Sequence, residues 1–151
     1  MVFGIACHFL RDRAVAEELA QDVFLELFQH LPSIKSADHL KYWLRRVVGN
    51  RCIDASRRRK RGHLVGLEDV PEPTATTVEV DPLLAGTLER YVGTLPEAAR
   101  IVVILRYQED LSPTEIADVL DMPLNTVKSH LQRSLAMLRE KLARCLGEVS
   151  V

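Results

Sequence analysis

The sequence predicts an all-α protein of two small helical domains joined by a flexible acidic linker, the second carrying a helix-turn-helix. Three observations predict it. Apolar residues recur at helical spacing through both ends of the chain, and helix-start signals precede several of these segments. Between them, residues 62–87 hold Pro71, Pro73, Pro82, four threonines, five acids and no Lys/Arg, the composition of a linker. The expected domains are residues 1–61 and 88–147.

At 151 residues, with 47% apolar and 27% charged residues, the chain has the composition of an ordinary globular protein rather than a disordered one. Its net charge of −1 hides a segregation. Residues 1–61 carry 12 Lys/Arg against 7 Asp/Glu, residues 62–87 none against 5, and residues 88–151 8 against 9. Any contact with a polyanion is therefore expected to be local. Cys7, Cys52 and Cys145 are odd in number and far apart, so neither a disulfide framework nor a paired metal motif is expected, and a reducing cytoplasm is the simplest home. No metal or cofactor site is expected, nor a membrane span. No Gly-rich phosphate loop, metal cluster or Ser/His/Asp arrangement stands out, and an enzyme is not expected.

The opening MVFGIACHFL is too short to span a bilayer, which takes about 20 residues, and lacks a basic leader. It reads as part of a buried helix. The second segment, residues 13–30, has Asp12 as a cap and Ala16, Leu19, Ala20, Val23, Phe24, Leu27 and Phe28 on a broad apolar stripe. Its opposite face holds Glu17, Glu18, Gln21, Asp22 and Glu26, and Leu31-Pro32-Ser33 ends it. On charge alone that face is simply solvated.

A third segment opens near Ser36 and turns Leu40, Trp43, Leu44, Val47, Val48 and Ile53 inward. Trp43 shares their register and reads as core, with Tyr42 the better-exposed aromatic. The segment closes on Arg57-Arg58-Arg59-Lys60-Arg61, a run that suits a polyanion partner or a helix C-terminus. Beyond the linker, residues 88–93 and 96–108 read as two helices. They supply the surface against which a helix-turn-helix must pack, since an isolated helix pair could not offset its ordering entropy.

In residues 110–142, Ser112, Pro113 and Glu115 form a capping-box signature. Asp121-Met122-Pro123 then breaks the pattern. A longer helix follows, with Val127, Leu131, Leu135, Leu138 and Leu142 in one stripe. Opposite that stripe lie Asn125, Thr126, Ser129, Gln132 and Arg133, flanked by Lys128 and His130, with no acid among them. A second helix showing such a face fits a major-groove reader; a helical hairpin with a solvated face is the alternative.

The ordered set AEELAQDVFLELF, YWLRRVVGNRCIDASRRRKR, an acidic linker and LPEAARIVVILRYQEDLSPTEIADVLDMPLNTVKSHLQRSLAMLREKL closely resembles bacterial sigma factors of the extracytoplasmic-function (ECF) type. The resemblance covers nearly the whole chain. It implies an initiation factor with core RNA polymerase and promoter DNA as partners, and an anti-sigma factor as a further one. It implies that Gln21, Asp22 and Glu26 face the polymerase clamp. It assigns Asn50, Arg45, Arg46, Arg57, Arg58 and Arg59 to the −10 element, Asn50 beside a flipped-out base. Thr126, Lys128, Ser129, His130, Gln132 and Arg133 go to the −35 element. Asp121 and Asn125 stand where the family commonly has glycine, His130 where arginine is more usual, and the family usually has more helix before the position of Met1. A stand-alone helix-turn-helix regulator would account for residues 110–142 but leaves RRRKR unexplained, and a truncated, inactive sigma fragment is the third reading.

Overall fold

A computed structural model of the chain describes residues 1–63 and 82–149, which form helices α1 (Val2–Leu10), α2 (Arg13–His30), α3 (Ala37–His63), α4 (Pro82–Gly93), α5 (Glu97–Tyr107), α6 (Pro113–Leu120) and α7 (Leu124–Val149). A 3₁₀ turn at Leu31–Ser33 follows α2, and no strand occurs among the described residues. The all-α expectation holds. Most of the expected linker, residues 64–81, lies outside the described residues. Helix encroaches on both its edges, α3 running to His63 and α4 starting at Pro82. A proline is tolerated at a first helical position, where its missing N–H is needed by no neighbour.

The helix boundaries follow local chemistry. Asp12 is extended (φ −138°) and its carboxylate accepts from the Val15 N–H at 3.2 Å, the expected cap of α2. Ser36 does the same for α3, its hydroxyl accepting from the His39 N–H at 3.1 Å. Arg11, between α1 and α2, is left-handed at φ 55°. For a residue with a Cβ this is strained, and the turn is held by the Arg11 N–H donating to the Cys7 carbonyl at 2.8 Å.

Burial in α2 is narrower than the stripe predicts. Ala16, Leu19, Ala20 and Val23 are buried, whereas Phe24 is 51% and Phe28 76% exposed. α1 and α3 pack against α2, and Phe24 and Phe28 stay largely outside that packing. Trp43 is half-buried against the core, its ring 5.5 Å from that of His30.

The two helical halves do not stand apart. Ile5, Phe9, Val23, Val48 and Cys52 share one continuous core with Ile101, Val102, Leu105, Ile116 and Val127. Helix α5 makes this possible, because Ile101, Val102, Val103, Ile104 and Leu105 are all buried. One side of α5 meets α7 and another meets α1 and α3. Around this core, Arg100 donates to the Phe9 carbonyl and the Leu95 carbonyl, each at 3.0 Å, and its guanidinium lies 4.9 Å from the Phe9 ring. His8 is hydrogen-bonded to Gln108 across the same seam. A smaller cluster of Leu95, Ala99 and Val103 packs with Met137 under α7.

Candidate nucleic-acid interface

The helix-turn-helix is built as its sequence requires. The Ser112 hydroxyl accepts from the Glu115 N–H at 3.2 Å, and the Glu115 carboxylate accepts from the Ser112 N–H at 2.7 Å. These bonds hold the Glu115 carboxyl below its ordinary range. Asp121 ends α6 in the left-handed region (φ 51°), which an aspartate tolerates better than most residues. That explains why the turn forms without glycine. Pro123 then accepts from the Val127 N–H at 3.1 Å.

Val127 is fully buried and fixes the roll of α7 about its axis. As a result Asn125, Lys128, Ser129, Gln132 and Arg133 are exposed, and Thr126 and His130 are half-buried at the edges. Neither Lys128 nor Arg133 is in an ion pair among the described residues, and no acid lies between Asn125 and Arg133; Glu140, further along the same helix, pairs with Arg144. Ser134, next in sequence, is buried at 2% exposure. The geometry thus turns all six expected −35 residues away from the core or to its margin.

The α3 residues divide. Asn50, Arg57 and Arg58 are exposed. Arg45 instead reaches the second half of the chain, its Nη2 3.4 Å from Glu109 Oε2. Arg46 donates to the Tyr42 hydroxyl at 3.1 Å, which donates to the Asp118 carbonyl at 3.2 Å. Arg59 donates to the Leu10 carbonyl (3.1 Å) and to Asp12 (3.3 Å). Two pairings escape sequence reasoning. Lys60 Nζ lies 2.7 Å from Glu97, which also accepts from Ser56 at 3.3 Å. Arg51 Nε donates to Glu26 at 3.1 Å. Charge alone could not have told which cation of a dense run would find a carboxylate.

On α2, Gln21 and Asp22 are exposed and Glu26 is held by Arg51. They border a patch of Phe24, Leu25, Phe28 and Leu31, each at least 49% exposed. An apolar patch rimmed by polar groups is a candidate contact surface for a protein, a membrane or a ligand; the signal was present in the sequence as an apolar stripe too wide for its partners. Cys52, by contrast, is buried, and loss of solvation pushes its thiol up to about 12. It stays a neutral core residue. Among the described residues no cluster of three His, Cys, Asp or Glu could hold a metal, and no helix is long and apolar enough to cross a membrane.

Comparison with known proteins agrees with this geometry. Residues 1–62 match the family model for sigma-70 region 2, and residues 85–138 that for sigma-70 region 4. The ECF RNA polymerase sigma factor SigW of Bacillus subtilis is 27% identical over 93% of this chain and 82% of its own length. The ECF RNA polymerase sigma factor SigM of Mycobacterium tuberculosis is 31% identical over 87% of this chain and 64% of its own. Among solved structures, the sigma factor RpoE of Bartonella quintana, in complex with the anti-sigma factor NepR, superposes with a TM-score of 0.76 at 22% identity, covering 94% of this chain and 89% of that one. A helical protein with regions 2 and 4 in this order is a sigma-70 factor, an initiation factor and not an enzyme. The chain belongs to the ECF type of that family.

Proposed function

We propose that the protein directs core RNA polymerase to a subset of promoters, residues 1–61 contacting the clamp and the −10 element and residues 88–147 the −35 element. The observation that carries this is the exposed face of α7 from Asn125 to Arg133, which holds no acid, with Lys128 and Arg133 in no ion pair among the described residues while Val127 and Ser134 are buried beneath them. Cations without internal partners favour phosphate, and side chains reaching base edges supply specificity. On α3, exposed Asn50 beside Arg57 and Arg58 suits an unstacked strand, whose phosphates need cations and whose bases need polar contacts. On α2, Gln21 and Asp22 beside the Phe24 and Phe28 patch suit a protein partner.

The polymerase places this activity in the bacterial cytoplasm. An anti-sigma factor is a further partner on this reading, as RpoE has in NepR. The test is transcription from a promoter library with purified protein and core polymerase. Template-specific initiation is expected, dependent on both components. Specific duplex binding without any effect on initiation would instead identify a stand-alone regulator.

A further inference from the structure

We infer that a cavity between α1 and the α4–α5 pair is a binding site for a small amphiphilic acid, one apolar chain bearing one carboxylate. The cavity measures about 320 Å³, within the usual range for small-molecule sites, roughly 300–1,000 Å³. Phe3, Cys7 and Arg11 stand four residues apart along α1 and its cap, and so form one wall that runs from apolar to cationic. Val92 of α4 and Ile104 of α5 face it. Phe3, Leu88 and Tyr107 remain 36%, 41% and 57% exposed, which leaves an apolar mouth. At roughly 30 Å³ for each water-sized group, such a space takes a chain of about ten carbons.

The charge of the ligand follows from Arg11. Asp12, Glu89, Arg11 and Arg13 all line the cavity, and three of them are engaged elsewhere. Arg13 pairs with Glu17 at 3.2 Å, Asp12 with Arg59 at 3.3 Å, and Glu89 lies 4.0 Å from His8 Nε2. Arg11 is in no ion pair among the described residues. Its Nη1 reaches the Arg90 carbonyl at 3.5 Å, longer than an ordinary hydrogen bond.

Two local devices hold this guanidinium in place. The Arg11 backbone is left-handed at φ 55°, a conformation that glycine or asparagine adopts at less cost, and strain of this kind gathers at ligand clamps. At Gly93 an added Cβ would lie 2.6 Å from Arg11 Nη1 and 2.8 Å from Arg11 Cδ, so the side chain rests in a notch that only glycine leaves open. Arg100 adds positive charge nearby: burial lowers its pKa, and the charge of Arg11 lowers it further. An unpaired cation at one end of an apolar cavity selects an anionic headgroup. One guanidinium matches one carboxylate in charge and in fork geometry.

The test titrates the full chain with decanoate by isothermal calorimetry, beside decanol and decyltrimethylammonium as neutral and cationic probes of the same chain length. One decanoate per chain is expected, with a Kd of about 10–100 μM, and both other probes should bind about tenfold or more weakly. Arg11→Asn removes the charge but tolerates the left-handed turn, and Gly93→Ala crowds the arginine out of its notch. With helical circular dichroism retained, each should weaken decanoate about tenfold or more and leave decanol unchanged. Bound decanoate should also slow alkylation of Cys7 by iodoacetamide, read by peptide mass spectrometry, and leave Cys145 unaffected. No binding, equal affinity for the three probes, or undiminished decanoate affinity in either variant would overturn the site. Binding without protection of Cys7 would overturn it too, by moving the ligand to another surface such as the Phe24 and Phe28 patch.

Discussion

The guanidinium of Arg45 lies 3.4 Å from the carboxylate of Glu109, and both side chains are mostly buried, at 20% and 11% exposure. The pair ties the helix that carries Asn50 to the loop that leads into the helix-turn-helix. It binds two halves of the chain 64 residues apart in sequence. A pair this sheltered should couple, unlike an exposed one.

Removing one member should therefore cost more than removing both would suggest. In a double-mutant cycle of Arg45→Ala and Glu109→Ala, urea unfolding is expected to show a coupling of about 0.5–3 kcal/mol. A coupling indistinguishable from zero would mean that water screens the pair and that apolar contacts alone hold the seam.

Phe28 gives a prediction about the α2 patch. At 76% exposure its replacement by serine should change stability by less than about 0.5 kcal/mol. If the patch docks on polymerase, affinity for the core enzyme should fall by about tenfold or more, since exposed aromatics are typical anchors. Equal affinity of the two proteins in a titration of labelled core enzyme would remove the patch from the docking surface.

Arg133→Ala should weaken −35 recognition by about 1–3 kcal/mol if the guanidinium reads a base edge, and relax specificity at one position. A pure phosphate contact would weaken all sequences alike and flatten the salt dependence. In both cases association with core polymerase should be nearly unchanged. Its collapse in a pull-down would show that the α7 face serves the polymerase instead.

Asn50→Ala is expected to slow strand opening more than closed-complex formation. Permanganate reactivity at the −10 region, compared with a footprint of the closed complex, measures the two steps separately. Equal loss in both would count against a role in holding an unstacked base.

Acid should loosen the fold through two carboxylates. Hydrogen bonding by Lys60 holds Glu97 below its ordinary value of 4.5, helped by the Lys60 charge and by Ser56, and Ser112 does the same for Glu115. Because the folded values are the lower ones, their contribution is complete above about pH 4.5 and is lost as pH falls through the folded values. Melting temperature should hold down to about pH 5 and then drop. Glu97→Gln should be less stable at neutral pH and show a shallower acid limb; an unchanged limb would show that Glu97 does not contribute.

Much of the architecture was legible because it depends on neighbours in sequence. The Asp12 cap, the Ser112–Glu115 box and the break before Pro123 each act over three or four residues, and the helix boundaries stand where those signals put them. The polar face of α7 was legible for the same reason: a helical stripe anchored at Val127 and Leu138 fixes which residues lie opposite. What pattern could not supply was the partner of each exposed charge. Arg45, Lys60 and Arg59 look alike beside Arg57 and Arg58 in the sequence, yet three find carboxylates while, among the described residues, the other two are in no ion pair.

The amino-acid order alone determined the helices, their caps, the helix-turn-helix and the face it presents, since each follows from periodicity and short-range hydrogen bonding. Only the tertiary structure decided that the two halves share one core around residues 101–105, that Phe24 and Phe28 lie outside it, and which arginines of α3 are engaged. Those outcomes depend on distances between residues far apart in the chain, and burial of apolar surface rewards any arrangement that closes the gap without stating in advance which charges will meet across it.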